Sequence, residues 1–220
     1  MPHYVRADIP GGTFFSTVAL LERRRRLLVE NIGTLREAFR GVRHRYPFTI
    51  DAIVILPEHL HCVWTLPAGD ADFSTRWRLI KAAFARGIAA GERLSERRQR
   101  TGERGIWQRR FWEHAIRDAV DLTRHVDSIH HNPVKHGLAD RVVGWPYSSF
   151  HRYVERGCLS TGLGRRISSA RVEFRVALLS EGGIRFAIPP YAGCAASSNR
   201  LDSCGWREEI DVCGISPLHR

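Results

Sequence analysis

The chain has 220 residues and a net charge of +11, from 34 lysines and arginines against 23 acidic residues. Its hydrophobic share of 43% is ordinary for a soluble globular domain with a sizeable core. No stretch is apolar enough to span a bilayer, and the first residues lack the apolar core of a secretory signal, so we expect a cytoplasmic protein.

The positive charge is carried almost entirely by arginine, because Lys81 and Lys135 are the only lysines. A guanidinium is permanently charged and pairs bidentately with phosphate, which favours a nucleic-acid partner. Solubility or the codon bias of a GC-rich genome explains the same excess of arginine, so charge alone does not establish a nucleic-acid partner. None of the five cysteines forms a C-x-x-C pair, so neither a zinc ribbon nor a redox motif is indicated.

The first half of the chain predicts three strands and one helix. Thr13 to Leu20 is β-rich and follows the turn signal Gly11-Gly12, which indicates a first strand. Apolar residues recur every three or four positions from Leu27 to Tyr46 and predict an amphipathic helix. Phe48 to Leu56 and His59 to Leu66 then form a predicted hairpin across the break at Pro57-Glu58.

The second half predicts a helix, a loop, a strand and a closing helix. The helix covers Phe73 to about Ala90, and the polar, arginine-rich segment from Glu92 to Arg104 indicates a mobile loop. Ile106 to Ile116 has bulky aromatics at extended spacing and predicts a strand or hairpin. Asp118 to His131 predicts the last helix, ended by Asn132-Pro133 because proline disfavours helical geometry in the preceding residue.

The predicted element order β-α-β-β-α-β-α defines the fold class. It indicates an α+β fold of ferredoxin-like type, with an antiparallel sheet and helices packed on one face. No internal repeat is seen. We therefore expect one domain over residues 1–157, followed by a separate tail over residues 158–220.

The most specific local feature is the pair His59-Leu60-His61 on the third strand. Residues two apart on a strand project from the same face, so the two imidazoles are expected side by side. Paired neutral imidazoles chelate divalent cations, although H-x-H also occurs by chance as two surface histidines. A metal site therefore needs a third ligand from elsewhere in the chain.

Five segments in order resemble one protein family, the REP-associated tyrosine transposases. This family belongs to the HUH superfamily of bacterial single-strand DNA nucleases, named for a His-hydrophobic-His motif. The resemblance runs from about Tyr4 to Gly157. One short motif would be weak evidence, but five motifs in the same order and register make a chance resemblance very unlikely. The segments are LPEHLHCVWTLP (56–67), DFSTRWRLIK (72–81), IWQRRFWEHAIRD (106–118), NPVKHG (132–137) and WPYSSFHRYV (145–154).

The resemblance implies a metal-dependent strand cleavage and transfer. In the family, Mg²⁺ or Mn²⁺ polarises the scissile phosphate, and a helix-borne tyrosine attacks it to form a phosphotyrosine link. On this chain the ligands correspond to His59, His61 and, from the pattern Y-x-x-x-N, Asn132. A cap or turn role before Pro133 is the alternative for Asn132, and we favour the ligand role.

Ser128 occupies the position of the family tyrosine, four residues before Asn132. A phenol has a pKa near 10, so its oxygen can be deprotonated and later leave, whereas an aliphatic alcohol is far less acidic. Serine is also too short to reach a phosphate held at the metal. We therefore expect the cleavage activity to be lost or severely weakened.

The resemblance implies single-stranded DNA hairpins, the REP sequences, as the partner, and a homodimer is one assembly that it allows. Positive side chains and tryptophans near the active site are the candidate contacts, since unpaired bases stack on aromatic rings. Arg109 and Arg110 are favoured because their segment flanks the site in the family. Core packing explains Trp77 more simply, and a solvated helix start explains Arg23 to Arg26. The further candidates are Arg76, Arg78, Lys81, Trp107 and Trp112.

Three functions from different classes remain open. The first is an HUH transposase with impaired cleavage, and the second is a catalytically inactive DNA-binding protein at REP sites. The third is a metal-dependent hydrolase that uses the histidine pair with an activated water and Glu58 as its base, although a Pro-Glu turn explains Glu58 more simply.

The tail from Cys158 departs from the family and holds four of the five cysteines. Family members often continue with an Asp-Trp-Ala/Gly-Gly stretch, and one codon choice for CLSTGLG (158–164), read one nucleotide over, encodes a similar stretch. We therefore expect the tail to be translated out of frame and to fold poorly. The alternative is a genuine, variable extension.

Overall fold

The structure is a computed structural model, and it describes residues 6–92 and 94–159. Its regular elements follow the order that the sequence predicts, with the first predicted helix divided at Asn31. A short helix before the fourth strand, a 3-10 turn at Val142–Gly144 and a last helix are added. They are β1 (Thr13–Ala19), α1 (Leu27–Glu30), α2 (Ile32–Arg45), β2 (Thr49–Ile55), β3 (His59–Thr65), α3 (Phe73–Gly87), α4 (Glu96–Thr101), β4 (Trp112–Ala115), α5 (Ala119–Lys135) and α6 (Phe150–Glu155).

The four strands form one sheet in the order β2-β3-β1-β4, and every neighbouring pair is antiparallel. The two central strands, β1 and β3, pair along their full length, from Thr13 opposite Thr65 to Ala19 opposite His59. This order is that of a ferredoxin-like sheet, in which each helical connection brings the chain back beside a central strand. The predicted α+β class and antiparallel sheet are confirmed.

The helices cover both faces of the sheet rather than the single face that the sequence led us to expect. On one face α2 and α3 bury a large aromatic core, in which the Trp64 and Trp77 rings stack with centroids 4.4 Å apart. On the other face α5 packs Leu122 and Val126 against Phe15 and neighbouring strand residues. Since α2 and α3 already fill the first face, the apolar side of α5 can be buried only on the second.

The segment between α3 and β4, predicted as a loop, contains the short helix α4. Gly102 ends this helix at a positive φ of 63°. Arg104 ties the segment to α3, because its guanidinium donates to the Ile88 carbonyl at 2.9 Å and to the Glu92 carboxylate at 2.8 Å. Local hydrogen bonding thus gives this polar stretch a structure that its apolar pattern does not indicate.

Helix α5 does not end at Asn132-Pro133, as predicted, but continues to Lys135. Pro133 is buried inside the helix and removes one backbone donor, which the surrounding turns tolerate. The actual stop is Gly137, with φ of +65°. Its N–H donates to the Val134 carbonyl and that of Leu138 to the Pro133 carbonyl, which is a Schellman motif.

A substitution at Gly137 is expected to loosen this end of α5. Gly137→Ala places a Cβ at a left-handed backbone position, which costs about 1–2 kcal/mol. We expect the free energy of unfolding from urea titration to fall by about that amount. Gly91→Ala, at an exposed glycine without a positive φ, is the matched control and should change stability by less than about 0.5 kcal/mol.

Among the described residues, no helix combines the length and the apolar character that crossing a bilayer requires.

Candidate functional site

The two histidines of β3 stand side by side on the sheet face that α5 covers. Their ring centroids are 4.9 Å apart, and the planes are nearly perpendicular at 86°. His59 is buried and His61 half-buried, while Leu60 between them points into the opposite core. The alternation expected of a strand therefore produces the predicted pairing.

Each histidine has a hydrogen-bond partner at Nδ1. The Glu58 carboxylate lies 3.0 Å from His59 Nδ1, and the Thr17 hydroxyl lies 2.9 Å from His61 Nδ1. A tautomer with the proton on Nδ1 leaves the Nε2 lone pair of each ring to bind a cation. Such outer partners fix the ring orientation and the tautomer of histidine ligands in metal sites.

Both imidazoles are held in their neutral form. Burial, reinforced by the nearby His59 and His136 rings, lowers the pKa of His61 to about 3. Burial also lowers the pKa of His59, although the Glu58 carboxylate opposes it. Neutral imidazole is the form that ligates metal ions, so the pair suits a cation at neutral pH.

Ser128 and Asn132 on α5 and His136, the residue that caps its C-terminal end, follow one another at four-residue spacing along one side of the helix. His136 brings the end of this row to the histidine pair, since its ring centroid lies 5.3 Å from that of His59. Asn132 is buried in the preceding turn, while Ser128 is exposed one turn further back. His136 is a neighbour of the pair that the sequence analysis missed, and the four-residue spacing was the available signal.

Asn132 carries a buried side-chain oxygen, Oδ1, for which the described residues provide no hydrogen-bond partner. An unpaired buried acceptor costs about 1–3 kcal/mol, a cost that a bound ion or water would relieve. Asn132 is buried inside α5, so it does not have the cap or turn role at a helix end that the sequence offers as the alternative. An amide oxygen and neutral imidazoles are donor types that bind divalent cations.

A second group of potential ligands lies across Phe15, whose ring is close to both His61 and His125. The ligand atoms of His114, Asp121 and His125 all lie within 4.8 Å of one another. Asp121 Oδ2 already accepts hydrogen bonds from His114 Nε2 at 2.8 Å and from the Arg117 backbone N–H at 3.1 Å. Burial raises the Asp121 pKa, but these hydrogen bonds outweigh it and lower the pKa to about 2, so this carboxylate is already paired within the protein.

Two of the predicted DNA contacts lie in the core, which corrects their assignment. Arg76 is only 2% exposed, and its guanidinium pairs with Asp70 at 2.6 Å and donates to the Pro47 carbonyl at 2.8 Å. Trp107 is buried against Phe84, with its indole N–H donating to the Lys81 carbonyl at 3.1 Å. Neither side chain has a surface open to a phosphate or a base.

The Lys81 side chain also makes hydrogen bonds inside the protein. Its ammonium donates to the carbonyls of Gln108 at 2.5 Å and Arg109 at 3.2 Å, which fixes the segment before β4. Burial, with a smaller effect of Arg6, lowers the Lys81 pKa to about 8. A single ammonium that serves two backbone acceptors has little left to offer a phosphate.

The remaining arginine candidates are on the surface. Arg78 and Arg110 are exposed, and Arg109 is exposed with its guanidinium 2.5 Å from the Glu103 carboxylate. Arg23 comes closest to the histidines, since its guanidinium lies 3.7 Å from the Glu58 carboxylate that contacts His59. Trp77 is buried, which leaves Trp112, 55% exposed, as the candidate tryptophan with an open ring.

The fold has a counterpart among solved structures. A structure of a REP-associated tyrosine transposase bound to a REP hairpin superposes with a TM-score of 0.63 and 46% sequence identity. The match covers 77% of this chain and the whole of that chain. The architecture is therefore that of a transposase domain.

Two curated relatives carry the same family name as that structure. A REP-associated tyrosine transposase of Escherichia coli K12 is 50% identical over 157 residues, 71% of this chain and 87% of that protein. A putative REP-associated tyrosine transposase of Haemophilus influenzae is 44% identical over 156 residues, 70% of this chain and 89% of that protein. No protein-family model matches the sequence. The chain belongs to the REP-associated tyrosine transposases.

Proposed function

We propose that this chain binds single-stranded REP hairpin DNA and that His59, His61 and Asn132 hold Mg²⁺ or Mn²⁺ beside the bound strand. The observation that carries the DNA part is the 46% identical relative bound to a REP hairpin, whose full length this chain covers. The net charge of +11 and the exposed arginines supply the attraction for phosphates.

The metal part is supported by the donor set. Two imidazoles are kept neutral by burial, and His59 lies beside His136 just after the C-terminal end of α5. Asn132, one turn earlier, has a buried amide oxygen without a partner among the described residues. Thr17 and Glu58 hold the two rings in place through their Nδ1 atoms. A bound ion would polarise a phosphate oxygen and so make the phosphorus a better electrophile.

Cleavage is impaired in this proposal, because Ser128 replaces the nucleophilic tyrosine. Ser128 is exposed on α5, and its hydroxyl extends only one bond beyond Cβ. The same observation favours the second candidate, a catalytically inactive DNA-binding protein at REP sequences. The hydrolase alternative loses support, because Glu58 already contacts His59 and Arg23 rather than standing free as a base.

The test is a labelled single-stranded REP hairpin incubated with the full chain and Mn²⁺. We expect retention of the hairpin with little or no cutting, and a weakened but measurable covalent adduct would place the chain with the active transposases. Cutting without an adduct would support the hydrolase. A failure to bind the hairpin better than a scrambled strand of equal length would contradict the proposal as a whole.

The metal ligands are tested separately by Mn²⁺ binding. His61→Ala should weaken Mn²⁺ affinity at least about tenfold, since even residues that only support a ligand contribute that much. Free Mn²⁺ measured by electron paramagnetic resonance gives the affinity without any need for cleavage. His44→Ala, at an exposed histidine on α2 across the sheet, is the control, and an equal loss in both variants would contradict the site.

We also propose that the family domain covers residues 1–157 and that residues 158–220 are a separate, out-of-frame tail. The tail from residue 160 onward lies outside the described residues. The two curated matches span 157 and 156 residues of the chain, a length close to that of the proposed domain. Sequencing the locus tests this, because the absence of a shifted frame with family similarity would leave a genuine extension.

A further inference from the structure

Trp112 is a large aromatic side chain left open to solvent beside the histidine site. It is 55% exposed, whereas Trp64, Trp77, Trp107 and Trp145 are all buried. A single exposed apolar side chain is common on protein surfaces and does not indicate a ligand by itself, so the surroundings of this ring decide what it can bind.

The sheet register places Trp112 on the same face as the histidine pair. Thr17 of β1 lies directly opposite Trp112 of β4 on one side and directly opposite His61 of β3 on the other. Residues directly opposite one another project from the same face, so Trp112 lies two strand spacings, about 10 Å, from His61. The Phe15 ring bridges them, with centroids 5.5 Å from Trp112 and 5.6 Å from His61.

The Trp112 ring is supported from one side by a stack of imidazoles. Its plane is within 5° of that of His114, with centroids 6.1 Å apart, and His114 stacks on His125 at 4.9 Å. Asp121 holds this stack, since its carboxylate lies 2.8 Å from His114 Nε2 and 3.3 Å from His125 Nδ1. The indole is thus fixed in orientation before any ligand arrives, which lowers the entropy cost of binding.

Two exposed arginines lie near Trp112 in the chain. Arg110 precedes it by two residues and is exposed, and the side chain of Arg117 beyond β4 is 76% exposed. A flat aromatic surface flanked by guanidinium groups suits a nucleotide, because the base stacks while the phosphate pairs with arginine. An apolar peptide or a lipid chain has no anionic group that would pair with these arginines.

We propose that Trp112 is the stacking site for one unpaired nucleobase of the hairpin substrate, next to the phosphate held at His59 and His61. This inference rests on the proposed hairpin binding. Stacking is tolerant of base identity, so the site would fix the path of the single strand across the sheet rather than read its sequence. His114, His125 and Asp121 act only as positioning residues for the ring.

The test uses REP hairpins that carry the fluorescent base 2-aminopurine at each unpaired position in turn, with the full chain and Mn²⁺. The wild-type chain should quench the fluorescence at one or two unpaired positions, and Trp112→Ala should abolish that quenching and weaken affinity about tenfold. Because no charge is removed, the slope of log affinity against log salt should not change, whereas Arg110→Ala should reduce it by about 1.

Two further variants separate stacking from damage to the fold. Trp112→Phe should keep most of the quenching, and Ile9→Ala, an exposed apolar side chain ahead of the opposite end of β1, should behave as wild type. Quenching that persists in Trp112→Ala, or that the wild type never shows, overturns the stacking site whatever the affinity. A wild-type chain that does not bind the hairpin contradicts the proposed function instead, and this is seen before any variant is compared.

Discussion

Ser128→Tyr is expected to give this chain a covalent link to REP hairpin DNA. The position is exposed on α5, one turn before the buried Asn132 and two turns before His136, whose ring touches His59. A tyrosine there supplies an oxygen several bonds further out and a phenol with a pKa near 10, so it can attack as a phenolate and later leave. Denaturing electrophoresis of a labelled hairpin measures the adduct directly.

The adduct should exceed that of the natural chain by on the order of 10³-fold or more, the usual effect of a catalytic nucleophile. Ser128→Phe is the matched control, because it has the size of tyrosine without the hydroxyl and should form no adduct. Adding His61→Ala to Ser128→Tyr should suppress the adduct while leaving hairpin binding in place. If Ser128→Tyr binds hairpin and Mn²⁺ but never forms the link, the assignment of position 128 is wrong.

The sheet and the histidine pair were predictable because both depend on local periodicity. Alternation along β3 alone determines that His59 and His61 share a face, and the chain order alone determines the antiparallel sheet. The family resemblance then supplied Asn132 as a third ligand. The structure adds that its amide oxygen is buried without a partner, which no spacing rule indicates.

The misplaced features depend on contacts distant in sequence or on competing local rules. The rule that proline ends a helix was outweighed at Pro133 by a strong Gly137 stop four residues later. The contact between His136 and His59 requires the helix to continue, so it was lost with the same error. The face that α5 covers depends on α2 and α3 already filling the other, which is a property of the whole fold.

Arg76 shows a signal that was present and was misinterpreted. Apolar residues at positions 73, 77, 80 and 84 define the buried side of α3, and position 76 falls on that side too. A charged residue there must be paired, and Asp70 just upstream was the obvious partner. The predicted DNA contact rested on the positive charge of Arg76, whereas its position on the buried helix face indicates a structural role.

Arg76→Ala should therefore destabilise the fold rather than weaken DNA binding specifically. It removes a 2%-exposed guanidinium that pairs with Asp70 and donates to the Pro47 and Asp72 carbonyls. Removing one partner of such a pair costs about 3 kcal/mol, since the acceptors that remain lose their donors. Urea unfolding with an unchanged m value measures the loss.

Arg78→Ala, two residues along the same helix, is the matched comparison. Arg78 is exposed, so its removal should change stability by less than about 0.5 kcal/mol. It should instead reduce the slope of log hairpin affinity against log salt by about 1, because one phosphate contact is lost. Arg76→Ala, measured under conditions where it is folded, should keep the wild-type slope. If Arg78→Ala destabilises the fold and Arg76→Ala reduces the salt slope, the structural role of Arg76 and the surface role of Arg78 are both wrong. Arg76 would then be the arginine of α3 that contacts the DNA.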